Sequence, residues 1–220
     1  LALFRAAGRD PRRAIAADLG FAIGPRINAA GRLEDMALGI ECLLCDDTVR
    51  ADAFAHRLNS INHERRDLQQ AMVEQAEALL EARLPSLDAA HLPAGLVLHD
   101  ADWHSGVIGL VASKLKERLH RPIIACAPAD DGSGEWKGSG RSIPGFHLRD
   151  CLVAIDTRHP GLLKRYGGHA MAAGLSLDGE RLPELVRAFE RLAAEWLTSE
   201  QLQAVIWTDG PLQAEDISLS

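Results

Sequence analysis

GLVLHDADWHSGVIGLVASKLKERLHRPIIAC, residues 95–126, changes its hydrophobic period twice. Leu96-Val97-Leu98 is a short apolar run bounded by glycine and by polar turn formers, the pattern of a buried strand. Between Gly106 and His120, residues Val107, Ile108, Leu110, Val111, Leu115 and Leu119 recur at the spacing that fills one side of a helix. Pro122-Ile123-Ile124-Ala125-Cys126 is a second apolar strand. Strand, helix and strand in that order define an α/β layer structure.

The pattern continues in both directions. Downstream, Trp136–Ile143 reads as a third strand, Leu148–Ile155 as a helix and Met171–Leu177 as a fourth strand. Arg181–Leu197 reads as a strongly amphipathic helix and Ala204-Val205-Ile206-Trp207 as a last strand. The expectation is a mixed sheet flanked by helices. Upstream, after the turn-rich break from Pro85 to Pro93, a long helix is expected over Val49–Leu84, with Asp46-Asp47-Thr48 offering its N-cap. Leu58, Ile61, Leu68, Met72, Ala76, Leu79 and Leu80 recur along it at three- and four-residue steps. Such a helix exceeds the usual globular length. It is either a connector between two domains or a helix packed along one. Glu34–Cys45 reads as a short helix. Leu1–Leu33, rich in glycine and arginine, reads as a loop-rich segment rather than a core element.

Composition narrows the function. The 220 residues carry a net charge of −7 with 47% hydrophobic content, which excludes a uniformly basic nucleic-acid binder. A local basic surface remains open, since Arg5, Arg9, Arg12, Arg13, Arg26 and Arg32 cluster in the first stretch. No apolar run approaches the ~20 residues of a membrane span, and no basic-then-apolar leader is visible. A cytoplasmic location and no membrane partner are therefore expected. Leu1 in place of Met reads as a piece of a longer protein. Cys42 and Cys45 enclose two leucines, no second pair follows at zinc spacing, and Cys126 and Cys151 stand alone. All four are expected to be buried, reduced thiols.

Three glycine-containing stretches carry candidate chemistry. In Trp103–Gly109 (WHSGVIG), Gly106 stands where a helix N-terminus offers free N–H groups to a phosphate; His104 and Ser105 are alternatively plain caps. In Gly138–Ser142 (GSGRS), Ser139 and Arg141 suit a phosphate, arginine being the preferred bidentate ligand, or else form a twisted edge strand. In Gly167–Gly174 (GGHAMAAG), Gly167 and Gly168 let a ligand approach the backbone beside His169, in a tight anion- or nucleotide-binding turn or an ordinary glycine-rich turn. Asp100, Asp102, His99 and His104 have metal-like spacing, but such residues in a strand-to-helix loop are more often solvated turn formers.

These pieces, together with Gly24–Leu33 (GPRINAAGRL), Leu58–Arg66 (LNSINHERR) and Thr208-Asp209-Gly210, resemble in order the C-terminal half of RecJ-type single-strand-specific DNA exonucleases of the DHH phosphoesterase superfamily. The resemblance implies the end of a DHH domain over 1–45, a connector helix over 46–84, a DHHA1 domain over 94–200 and the start of an OB-type domain over 204–220. It implies 5′-to-3′ hydrolysis of single-stranded DNA, especially 5′-phosphorylated strands, in DNA repair and recombination. Mn²⁺ or Mg²⁺ would serve the intact enzyme. Arg26, Asn28 and Arg32 would face the cleft, and His104 counts among the phosphate-binding candidates. Ser139 and Arg141 would hold the 5′-phosphate. Gly167, Gly168 and His169 would hold the nucleotide near the metals, His169 as the catalytic residue. Related members acting on oligoribonucleotides or cyclic dinucleotides, and non-catalytic DHHA1 binding modules, are the alternatives. Asp-His-His occurs nowhere in the chain, so no metal ligands and no DNA degradation are expected of it alone.

Overall fold

The computed structural model describes residues 1–83, 92–129, 131–206, 208 and 210–211. The long helix organises it. α5 spans Thr48–Arg83, and its first turn is capped by Asp47, whose Oδ1 accepts from the Val49 and Arg50 amides at 2.8 and 2.9 Å. Its first half buries Ala55 and Leu58 against the N-terminal helices, and its second half buries Met72, Ala76 and Leu80 against the sheet domain. The helix thus packs against both parts rather than along one alone.

The N-terminal segment corrects the sequence reading. α1 (Ala2–Ala6) is followed, after a short turn, by α2 (Ala16–Asp18), which runs through one wide π turn into α3 (Gly24–Leu33); α4 (Ala37–Leu44) comes next. Ala2, Leu3, Ile23 and Ala30 are buried, so Leu1–Leu33 contributes core rather than loop. Pro25 stands at the start of α3, directly after the π turn. The buried face of α3 is made of small residues, Ala29 and Ala30, which give no strong apolar period.

The second half is a five-stranded mixed sheet, ordered β1 (Leu96–His99), β2 (Ile123–Pro128), β3 (Glu135–Arg141), β5 (Ala172–Asp178) and β4 (Arg165–Gly168). β1 and β2 are parallel, and every other pair is antiparallel. β2 is apolar throughout because both of its faces are covered. Ile123 and Ala125 face α6 (Ile108–Leu119) and α5, while Ile124 and Cys126 face α7 (Leu148–Arg158) and α8 (Leu182–Trp196). The fold class expected from the sequence is the one observed.

Two details differ. Gly167 and Gly168 end β4 and do not form the turn, which comprises residues 169–171. Gly168 adopts φ +139°, and a Cβ there would lie 2.5 Å from the Ala173 Cα. Residues 204–206 form no strand and are exposed; Trp207 lies outside the described residues. Arg121 secures the chain's course before them, its Nη1 donating to the Leu202 and His120 carbonyls at 2.6 and 3.0 Å. Among the described residues, no helix is long and apolar enough to cross a membrane.

All four cysteines are free, but only three are buried. Burial pushes the thiols of Cys126 and Cys151 up to about 12 and raises that of Cys42. Cys45 is half-buried at the end of α4, donating to the Asp47 carbonyl at 3.3 Å. An aromatic disulfide reagent at pH 8 should therefore label Cys45 promptly in the native chain, and the other three only on unfolding. Prompt release of more than one equivalent would contradict this arrangement.

Candidate nucleic-acid interface

Ser139 and Arg141, two residues apart on β3, point to the same face of the sheet, the one that α6 covers. Arg141 Nε donates to Ser113 Oγ at 3.1 Å, and its Nη1 donates to Ser139 Oγ at 3.1 Å and to the Gly140 carbonyl at 2.8 Å. Ser113 Oγ donates in turn to the Gly109 carbonyl at 2.9 Å, so the hydroxyl is oriented to accept from the guanidinium. Gly109 is required here, because a Cβ would lie 2.9 Å from Ser139 Oγ and 3.0 Å from Arg141 Nη2. The guanidinium thus rests on the first turn of α6, held by hydroxyls and a carbonyl rather than by a carboxylate. Burial, and then the charge of Arg32, push its pKa below the ordinary arginine value. It still stays protonated in neutral solution.

Arg32 reaches this place through a close joint. Its Nη1 donates to the Gly106 carbonyl at 3.2 Å. A Cβ on Gly106 would run into the Arg32 carbonyl oxygen. The Gly106 amide is not free for a phosphate, since it donates to His104 Nδ1 at 3.0 Å, and α6 starts only at Ile108. His104 is therefore a cap, and in a neutral ring its remaining proton is on Nε2. Asp100 Oδ1 accepts from the Asp102 amide at 2.8 Å, the geometry of a turn former. Among the described residues, no three His, Cys, Asp or Glu side chains are grouped to hold a metal ion.

Beyond the joint, α3, α5 and α6 enclose a cleft of about 560 Å³. Asn28, Arg32, Arg65, Arg66, Gln69, Gln70 and Lys114 supply its polar lining, and among the described residues no carboxylate lines it. Arg26 is not among them. Its Nε donates to Asn59 Oδ1 at 2.9 Å and its Nη1 to the Ala22 carbonyl at 2.6 Å, which ties α3 to α5. The arginines nevertheless form one series. Arg141 feels the charge of Arg32, Arg65 feels Arg66 and Arg32, and Arg26 feels Arg66 and Arg9. Desolvation is the largest cause of the lowered pKa in each of the three.

Sequence reasoning overlooked Arg65, Arg66, Gln69, Ser113 and Lys114. A signal was present on α5: Asn62, Arg65, Arg66, Gln69 and Gln70 follow helical spacing without an acid, whereas Glu64, Asp67 and Glu74 occupy other positions.

His169 lies at the β4–β5 turn, exposed, its amide donating to the Ala172 carbonyl at 2.8 Å. Ala172 pairs with Arg141, so the backbones of His169 and Arg141 are two strand spacings apart, roughly 10 Å. Gly167 pairs with Gly174, which pairs with Ser139. The three glycine stretches of the sequence therefore converge on one end of the domain, with the cleft of Asn28 and Arg32 beside them; Arg26 stays behind α3.

Residues 92–195 match the model of the DHHA1 domain, which makes this a DHHA1-domain protein. Over 99% of its length the chain is 50% identical to the single-stranded-DNA-specific exonuclease RecJ of Dickeya dadantii and 46% identical to that of Escherichia coli. It spans 37% of the length of each. A crystal structure of RecJ from Thermus thermophilus in complex with Mg²⁺ superposes with a TM-score of 0.72 at 33% identity, covering 89% of this chain and 28% of that one. A Mn²⁺ complex of the same protein gives 0.73. Over its length the chain is thus similar to part of RecJ-type proteins, and residues 92–195 carry the match to the DHHA1 domain.

Substituting Gly106→Ala tests the joint. The added methyl forces the WHSGVIG loop away from Arg32, at a stability cost on the order of 2 kcal/mol. The expected result is a lower melting temperature and faster proteolysis between the helical layer and the sheet domain. A melting curve superimposable on that of the unsubstituted chain would show that the joint yields freely.

Proposed function

We propose that this chain is the substrate-holding part of a single-strand-specific 5′-to-3′ DNA exonuclease of DNA repair and recombination. The observation that carries this reading is the Arg141 guanidinium, held by Ser113 and Ser139 over the start of α6 with Arg32 beside it and a carboxylate on neither side. A terminal phosphate monoester supplies the missing anion. Its oxygens match the guanidinium fork, and binding offsets the cost of a partly desolvated, unpaired charge. An internal phosphodiester carries less charge, which favours an end with a free 5′-phosphate.

In this reading residues 1–45 are the end of a DHH domain. The exposed apolar side chains of Phe21, Ile40, Leu43 and Leu44 support it, since a helical layer does not leave such a face open without reason. Residues 204–220 would begin an OB-type domain. The described residues contain no cluster fit for Mn²⁺ or Mg²⁺, so the metals of the longer protein would be held by residues outside this chain. What this chain contributes is position. Arg141 and Ser139 fix the terminus, Gly167 and Gly168 leave the strand surface open, and His169 donates to the phosphate of the adjoining nucleotide as charge develops there.

The chain alone should leave labelled single-stranded DNA intact in Mn²⁺. Its binding should be weak and fall steeply with salt, because each cationic contact releases about one counterion. In the longer protein, a charge-assisted contact to phosphate is worth roughly 1.5–3 kcal/mol, or about one to two decades. Arg141→Ala should remove most of the advantage of 5′-phosphorylated over 5′-hydroxyl strands. His169→Ala should slow single turnovers on both strands while the preference persists. Equal losses on both strands for Arg141→Ala, or an unchanged rate for His169→Ala, would refute the role given to that residue.

A further inference from the structure

We infer that Gln201 and Arg121 are positioning residues for His169, acting through the loop over 142–148 that holds the β4–β5 turn. The inference rests on the role proposed for His169, and it starts from that turn. Residues 169–171 join β4 to β5, and the His169 amide closes them on the Ala172 carbonyl. The other two carbonyls of the turn are held from outside it. The Leu148 amide donates to the Ala170 carbonyl at 2.9 Å, and the Ser142 amide donates to the Met171 carbonyl at 3.0 Å. Both donors are ends of one loop, so the turn follows that loop.

The loop is propped in its turn. Buried Ser142 donates from Oγ to the Phe146 carbonyl at 2.7 Å and closes the loop on itself. Phe146 lies against Phe189 and Trp196, with ring centroids 6.0 and 5.8 Å away, and Leu202 packs on the same cluster. Gly145 adopts φ +89°, and a Cβ on it would run into the Gln201 side-chain amide. The tip of the loop therefore rests directly on Gln201.

Gln201 does not swing freely. Its Oε1 accepts from the Thr198 amide at 2.9 Å, and its own amide donates to Thr198 Oγ1 at 3.3 Å. Arg121, 5% exposed, fastens the next residue, its Nη1 donating to the Leu202 carbonyl at 2.6 Å and to the His120 carbonyl at 3.0 Å. Charge-assisted bonds in a buried place are strong. The route runs from the α6–β2 corner through Gln201 and Gly145 to Ala170 and Met171. The bonds of the Arg141 guanidinium, to Ser113, Ser139 and Gly140, lie off this route. Placement of His169 and capture of a terminal phosphate are therefore separable.

The first test needs no activity. Gln201 is half-buried, so Gln201→Ala should fold normally and melt within about 2 °C of the unsubstituted chain. Amide hydrogen exchange in that variant should be about tenfold faster at Ser142, Leu148 and His169, the effect of about one lost hydrogen bond. Val97 and Ile124, in β1 and β2, should exchange as before. Gln201→Glu keeps an oxygen for the Thr198 amide and should restore protection. Arg121→Met should speed the same three amides; if it does not fold, the Gln201 variants decide. In the longer protein, Gln201→Ala should slow single turnovers about three- to tenfold on 5′-phosphorylated and 5′-hydroxyl strands alike, as a slightly misplaced group does. Half-saturating concentrations should stay unchanged, and Gln201→Glu should regain the rate. Unchanged exchange at the three amides, faster exchange spread evenly over the sheet, a lost 5′-phosphate preference, or an unchanged rate while His169→Ala is slow would each overturn the inference. Local loss of protection together with an inert His169→Ala variant would instead overturn the role proposed for His169.

Discussion

The contact between Gly106 and the backbone of Arg32 holds the two halves of the molecule in register. Gly106 has no side chain, so the loop ahead of α6 approaches the last turn of α3 until its Cα faces the Arg32 carbonyl oxygen directly. The return bond, from the Arg32 guanidinium to the Gly106 carbonyl, uses the same two residues. His104 holds the loop in shape by accepting the Gly106 amide. Trp103, buried beside it, donates from Nε1 to Gln75 Oε1 at 3.1 Å and so fastens the loop to α5. One short motif thereby joins three elements, and the position of Arg32 relative to Arg141 follows from it.

That placement explains how an acidic protein can present a basic site. The net charge of −7 is spread over surfaces where acids and bases meet in exposed pairs, which contribute little to stability. Arg32, Arg65 and Arg141 gather instead where the helical layer meets the sheet domain, and burial lowers the pKa of Arg65 and Arg141 there. Field from the same charges is stronger there than on an open surface. The unfavourable proximity of these cations persists because the joint, the Asn62–Arg65–Gln69 network and the hydroxyls around Arg141 each fix one of them.

Where two faces of an element were buried by large apolar residues, the sequence was sufficient. The strands at 96–99 and 123–128, α6, α8 and the stripe on α5 all announce themselves by period. The N-terminal helices did not, because α3 buries Ala29 and Ala30, which carry almost no hydrophobic signal, while Gly24, Pro25 and Gly31 look like loop residues. The Gly167-Gly168 pair was read as a turn because glycines favour turns; an edge strand of four residues with alternating exposure leaves little periodic trace. In the site, Ser139 and Arg141 were readable from their glycine-flanked motif. Ser113 and Lys114 were not, since a polar residue on the open side of an amphipathic helix is ordinary; packing of α6 against β3 brings Arg141 to Ser113, and the nearness of α3 and α5 puts Lys114 in the cleft. Arg26 shows the opposite error: an arginine within a motif of site residues whose nitrogens are taken up by Asn59 and Ala22.

The distribution of the site over rigid and separable parts has a consequence for how it works. Arg141, Ser139, Gly167, Gly168 and His169 all belong to one antiparallel block, β3–β5–β4, and their backbone spacing is fixed by ladder hydrogen bonds. On the proposed reading, the distance between a terminal phosphate on Arg141 and the nucleotide beside His169 is therefore a property of the sheet. Asn28, Arg32, Arg65 and Arg66 belong to the helical layer, and their distance from Arg141 depends on the loop contacts at Gly106 and Trp103. On the proposed reading, terminus recognition and spacing belong to the sheet, whereas Asn28 and Arg32 are carried by the helical layer.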